Sequence, residues 1–131
     1  MKEVYDFLKK CGTYYIATSD GQNVRVRPFG TVDYFDEHLY FQTGKSKDVA
    51  KQLFANPNIE LCAFDGERWL RVSAKAMHDD RIEAEKHMLD AYPELLSMYK
   101  PGDGNTAVFF LHFPSATFYS FTEAPRVCGN F

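Results

Sequence analysis

Three turn sequences constrain this chain more than any other feature. Ser19-Asp20-Gly21-Gln22, Asp36-Glu37 and Asp65-Gly66-Glu67-Arg68 each lie between runs rich in Tyr, Val, Ile, Phe and Thr. Such runs favour a pleated backbone, and Asp, Gly and Ser favour reversal. Two extended runs joined by a few turn residues pair antiparallel. Regular alternation of strand and helix is missing, which disfavours a doubly wound parallel sheet.

Around these turns the remaining elements fall into place. Val4, Phe7, Leu8 and Cys11 recur at helical spacing, so residues 2–11 read as a helix stopped by Gly12. Thr13 to Thr18, Asn23 to Pro28, Thr31 to Phe35 and His38 to Thr43 read as extended. Ser46 to Ala55 reads as a short helix with Ser46 as its cap, ended by Asn56-Pro57. Ile59 to Phe64 and Trp69 to His78 form the next hairpin. Asp79 or Asp80 caps a helix running to about Tyr92, and a shorter helix follows through Tyr99. Thr106 to Phe113 is an apolar strand, interrupted by Pro114-Ser115 and resumed from Thr117 to Phe121. About six strands with two or three helices make a small antiparallel barrel with helices on its ends.

Composition bounds what such a barrel can do. A chain of 131 residues, 45% hydrophobic and 16% aromatic, suits one domain over 1–131 with its own core. A net charge of −3 argues against nucleic-acid binding driven by overall charge. No apolar run approaches the roughly 20 residues of a membrane span, and no export signal follows Met1. Cys11, Cys62 and Cys128 form no CxxC pair; Cys11 and Cys62 read as small core residues. Free thiols without an export signal lead to an expected cytoplasmic location. His38, His78, His87 and His112 lack ligand spacing, so no metal site is expected.

One cluster carries a chemical signal. Arg25 and Arg27 leave the same face of a strand, roughly 6.6 Å apart along it, with Val24 and Val26 on the other face. Two guanidinium groups so placed repel unless solvent or an anion intervenes, and their planar forks suit a phosphate. Lys45 and Lys47 flank the expected helix start, where a cation costs about 0.3–1 kcal/mol. An anion bound there reverses that sign. Solvated lysines on a turn and exposed arginines on an edge strand would give the same sequence, so the residues alone leave both readings open.

Arg25-Val26-Arg27-Pro28-Phe29-Gly30, then Leu39 through Lys47, then Asn56-Pro57, resemble the pyridoxamine 5'-phosphate oxidase-like FMN-binding split-barrel family. Glu67 through Ala76 and Phe118-Tyr119-Ser120-Phe121 look like later strands of its short bacterial members, those grouped with nitroimidazole reductases. The resemblance implies a mainly β fold, a six-stranded antiparallel split β-barrel of the FMN-binding type. It also implies a homodimer with FMN between the subunits. By position, Arg27 and Lys47 would hold the FMN phosphate, helped by Ser46, with Arg25 as a further candidate. Backbone from Arg27 through Pro28 to Phe29, with Gln42 and Thr43, would edge the flavin ring. Trp69 would either contact the flavin or fill core. The true oxidase reads its substrate through a C-terminal Arg/His segment; Glu123 to Phe131 shows none, which disfavours that activity.

The resulting expectation is an FMN-dependent oxidoreductase acting on a small molecule. The alternatives are a non-catalytic flavin- or haem-binding carrier or stress protein, and a barrel that has lost its cofactor.

Overall fold

In the computed structural model, which describes residues 1–130, all strands join one antiparallel sheet. The strands are β1 (Tyr14–Ser19), β2 (Val24–Phe29), β3 (Asp33–Phe35), β4 (His38–Gly44), β5 (Asn58–Phe64), β6 (Arg68–Asp79), β7 (Thr106–Ser120) and β8 (Arg126–Asn130). Their order is β2-β1-β5-β6-β7-β4-β3, with β8 on β7. The helices are α1 (Lys2–Cys11), α2 (Asp48–Ala55) and α3 (Ile82–Ala91), and a 3-10 helix spans Pro93–Ser97. The expected barrel strands are the six longer ones. The extended run expected from Thr31 to Phe35 holds the three-residue β3, and one strand is added, β8, five residues long. Among the described residues no helix is long and apolar enough to cross a membrane.

The long strands β6 and β7 act as the spine. β7 pairs with β6 along most of its length, with β4 through its first half and with β8 through its second. Contrary to the expected break, β7 runs straight through Pro114. Ser73 faces Ser115 while Lys75 faces His112, so Phe113 and Pro114 together stand opposite Ala74. That two-against-one arrangement is a bulge, where the missing proline N–H costs no ladder hydrogen bond.

The sheet curls around a core of Ile16, Phe41, Leu61, Leu70, Val72, Phe109 and Phe118. α1 closes one side with Val4, Phe7 and Leu8, and α2 closes another with Val49, Ala50 and Leu53. Phe41 and Phe109 stack with centroids 5.6 Å apart, and both are at most 1% exposed. Truncating either ring to Ala costs about 3–5 kcal/mol. A second cluster of Tyr40, Ala84, Met88 and Val108 lies under α3. Cys11, Cys62 and Cys128 are free and only half-buried, so none sits deep in the core as expected of Cys11 and Cys62.

Two helix starts differ from expectation. α3 is capped at Arg81 by backbone, not by an Asp side chain. Asp79 instead ends β6, and its carboxylate accepts from the Arg81 guanidinium at 2.8 Å and the Tyr40 hydroxyl at 2.7 Å. α2 begins at Asp48 with Lys47, not Ser46, at its cap position. The reason is tertiary: the loop after β4 is tied to Asn105, whose side-chain oxygen takes the Ser46 N–H at 3.1 Å while its backbone carbonyl takes the Lys45 N–H at 2.7 Å.

Candidate functional site

β2 turns its cationic face toward α2 and leaves its apolar face outside. The pairing of Ile16 with Arg27 and Thr18 with Arg25 sets this sidedness, because opposed residues share a face. Val24 and Val26 are consequently 83% and 66% exposed. An amphipathic strand with its valines outward leaves apolar side chains on the outer surface of the sheet.

Arg27 is held by neutral acceptors. Its guanidinium donates to Thr18 Oγ1 at 2.7 Å, to Gln52 Oε1 at 2.8 Å and to the Ile16 carbonyl at 3.4 Å. Among the described residues no carboxylate pairs with it. Burial lowers its pKa, opposed by Asp48 and assisted by Arg25, yet an arginine stays protonated throughout. Two of its five N–H donors are left for another acceptor. Arg25 differs: its Nε donates to Asp20 Oδ2 at 2.7 Å, so its charge is already matched.

Across from Arg27 stands the start of α2. Lys47 sits at the cap position with extended backbone (φ −81, ψ 150), and no side chain caps the helix. Lys47 and Arg27 thus converge on a helix end whose free N–H groups already favour anions.

Between them opens a cleft of about 230 Å³. β2 and the turn after it supply Arg27, Pro28, Phe29, Gly30 and Thr31. β4 supplies Gln42 and Thr43, and α2 with its cap supplies Lys47 and Val49. Leu95, Met98 and Tyr99, in and just after the 3-10 helix, complete the wall. Tyr14 fixes the turn, its buried hydroxyl donating to the Thr31 carbonyl. Thr31 Oγ1 in turn accepts the Gln42 N–H at 3.0 Å.

Gln42 is the most informative residue of the wall. It is 6% exposed, and neither its Oε1 nor its Nε2 has a hydrogen-bond partner among the described residues. A buried amide left unpaired costs about 1–3 kcal/mol per group. A ligand with a polar edge against β4 removes that cost, and an anionic group between Arg27 and Lys47 uses their spare donors. The lining therefore fits a ligand with an anionic end and a hydrogen-bonding body.

Of the residues expected from sequence, the cleft brings together Arg27, Pro28, Phe29, Gln42, Thr43 and Lys47. Arg25 and Ser46 stand nearby but do not line it. Trp69 stands on the outer face of β6, stacked on Tyr119 with centroids 5.5 Å apart and planes 9° from parallel. Among the residues that escaped the sequence reading are Gln52, Leu95, Met98 and Tyr99. For Gln52 one signal existed, a polar side chain three positions after Val49 on the buried side of α2. For the other three no local signal exists.

A family profile described as pyridoxamine 5'-phosphate oxidase matches residues 1–119. No curated protein matches the chain. Among solved structures, a NimC/NimA family protein from Clostridium acetobutylicum is similar at 35% identity and a TM-score of 0.93, covering 97% of this chain and 90% of that one. A pyridoxamine 5'-phosphate oxidase-related FMN-binding protein from Nostoc punctiforme shares the fold at 13% identity and a TM-score of 0.67, covering 98% and 95%. A heme binding protein from Mycobacterium smegmatis shares it at 11% identity and a TM-score of 0.74, covering 95% of this chain and 55% of that one.

Proposed function

The chain belongs to the pyridoxamine 5'-phosphate oxidase family, and on that premise we propose that it binds FMN and works as a flavin-dependent oxidoreductase on a small molecule. The observation that carries this reading is the orphaned Gln42 amide in one cleft with the spare donors of Arg27 and Lys47. Bound FMN would supply the hydride or single-electron transfer, and the protein supplies binding, orientation and electrostatics.

The protein's own contribution is binding and electrostatics. Arg27 and Lys47 neutralise the phosphate, and Thr18 and Gln52 hold Arg27 in place. Arg25 adds a positive charge on the same strand face as Arg27, although Asp20 already matches it, and Ser46, next to Lys47, offers a neutral hydroxyl donor. Gln42, Thr43 and the backbone of Arg27 to Phe29 face the flavin's polar edge. Tyr14, through Thr31, keeps that edge rigid.

A second copy of the chain completes the site in this proposal. A cleft of about 230 Å³ is smaller than the roughly 300–1,000 Å³ that encloses a typical small ligand. The outer sheet face carries Tyr15, Val24, Val26 and Phe64, which are 51%, 83%, 66% and 55% exposed. A homodimer burying this face places FMN at the subunit interface. Trp69 lies on the same face, so its flavin contact would be with the partner's cofactor. Three free cysteines suit a reducing compartment such as the cytoplasm.

One observation favours a second reading. The ionisable side chains lining the cleft are Arg27, Lys47 and Tyr99; among the described residues no carboxylate or imidazole lines it. A site without a general base serves a non-catalytic flavin or haem carrier equally well. Anaerobic bleaching of FMN-loaded protein by NADPH or NADH, then reoxidation by an electron acceptor with turnover, supports the enzyme. Loaded protein that neither bleaches nor turns over with either reductant would leave the carrier. A Soret band in place of flavin bands overturns the FMN assignment itself.

A further inference from the structure

Besides Gln42, His78 holds a buried polar atom, its Nε2, with no hydrogen-bond partner among the described residues. His78 is paired with Phe109 across β6 and β7 and so shares its inner face. The imidazole meets the Phe54 ring edge-on, with centroids 5.1 Å apart, and the Phe109 ring at 5.5 Å. Phe54 and Phe109 are themselves 5.6 Å apart, which closes the cluster. Phe54 belongs to the last turn of α2, so the cluster is where the end of this helix rests on the sheet.

α2 is held lightly. It has eight residues and no side-chain cap, and it buries Val49, Ala50 and Leu53. A helix this short depends on tertiary packing to form at all. The same helix carries Gln52, which aims Arg27, and starts next to Lys47. A change that loosens α2 therefore reaches the anion cleft.

Neutral imidazole leaves one ring nitrogen bare, whereas imidazolium carries an N–H on both. Protonation puts a charged donor among these rings without an acceptor, which costs free energy. Burial is the largest influence on the proton and opposes it, joined by Lys45 from the loop after β4. Asp80 and Asp79, at the end of β6, and Glu85 on α3 favour it, while α2 and β7 present the rings of Phe54 and Phe109. The balance holds the His78 pKa below its ordinary value. The stability this gives is fully present above about pH 6.5, where unfolded histidine loses its proton, and is lost as pH falls below that.

We propose that His78 is a proton-sensitive latch: neutral, it seats Phe54 and holds α2 on the sheet; protonated in mild acid, it unseats Phe54 and loosens α2 together with the anion cleft. The effect on the cleft rests on the FMN reading above; the latch itself does not.

Hydrogen exchange of the purified full chain, compared as protection factors at about pH 7.5 and about pH 5.5, tests the latch. In the wild type, α2 amides should lose at least about threefold more protection in acid than α1 amides. In His78→Leu, and in Phe54→Ala at a position already 53% exposed, the two helices should change in parallel. Parallel change in the wild type, or an α2 excess retained in both variants, overturns the latch. Flavin fluorescence titration at the same pH values reads the cleft. Acid should weaken FMN at least about threefold more in the wild type than in His78→Leu, a comparison in which protonation of the FMN phosphate cancels. Equal weakening overturns the link to the cleft. Refusal of FMN by the wild type overturns the FMN reading, and the exchange result alone then decides the latch.

Discussion

Gln52 Oε1 accepts a hydrogen bond from the Arg27 guanidinium at 2.8 Å, and the same oxygen accepts the Thr18 hydroxyl at 2.6 Å. Arg27 therefore reaches the cleft already aimed, by a neutral partner that leaves its charge uncompensated. Gln52→Leu removes this acceptor and is expected to weaken FMN binding about tenfold, the size of one charge-assisted hydrogen bond. Gln52→Glu keeps the shape but pairs the arginine internally, and is expected to weaken FMN further. Fluorescence titration of both variants checks the order; equal affinity in Gln52→Glu and wild type would remove the role assigned to Gln52.

The exposed outer face makes a prediction about assembly. Val26 is 66% exposed on edge strand β2, beside Tyr15 on β1. Val26→Asp puts a charge into the proposed subunit interface, where burial without a partner is costly. The expected outcome is a shift from dimer to monomer by sedimentation equilibrium, an unchanged fold by circular dichroism, and weaker FMN binding. A variant that stays dimeric with full FMN affinity would move the interface elsewhere.

Acid stability should report on Asp79. Hydrogen bonds from Arg81 come first, then that from Tyr40, in pulling the Asp79 carboxyl down to about 2 against the cost of burial. A lowered carboxyl pKa adds stability that is fully present above the ordinary value and lost as pH falls through about 2. Asp79→Asn is thus expected to cost on the order of 2 kcal/mol near neutral pH, with the difference from wild type shrinking below about pH 4. Urea unfolding at several pH values measures this; a pH-independent difference would mean that packing, not the charge, is lost.

The legible part of this protein is local. Alternation through Val24 to Arg27 announced a two-faced strand, while the lysines at a helix start left an anion site and a solvated turn both open. Turn chemistry gave the hairpins, including Asp36-Glu37, where both residues take positive φ (51° and 65°) to close β3 on β4. What escaped is set by tertiary contact. Which face of β2 lies inside depends on the partners that Arg27 finds in Thr18 and Gln52, not on hydropathy. The cap slips from Ser46 to Lys47 because Asn105, 59 residues later than Ser46, claims the Ser46 amide. Leu95, Met98 and Tyr99 meet β4 only because Tyr92 anchors the segment onto Val32. Pro114 passes inside a strand because the bulge opposite Ala74 needs no donor there.

The central claim is that Arg27 and Lys47 hold the phosphate of FMN. Titration of flavin fluorescence into FMN-free wild-type protein and into Arg27→Ala/Lys47→Ala, each shown to be folded by thermal melting, tests it directly. The account predicts saturable binding of one FMN per subunit in the wild type and at least about a hundredfold weaker binding in the double variant. A wild type that refuses FMN, or a double variant that binds it as tightly as the wild type, would contradict the account.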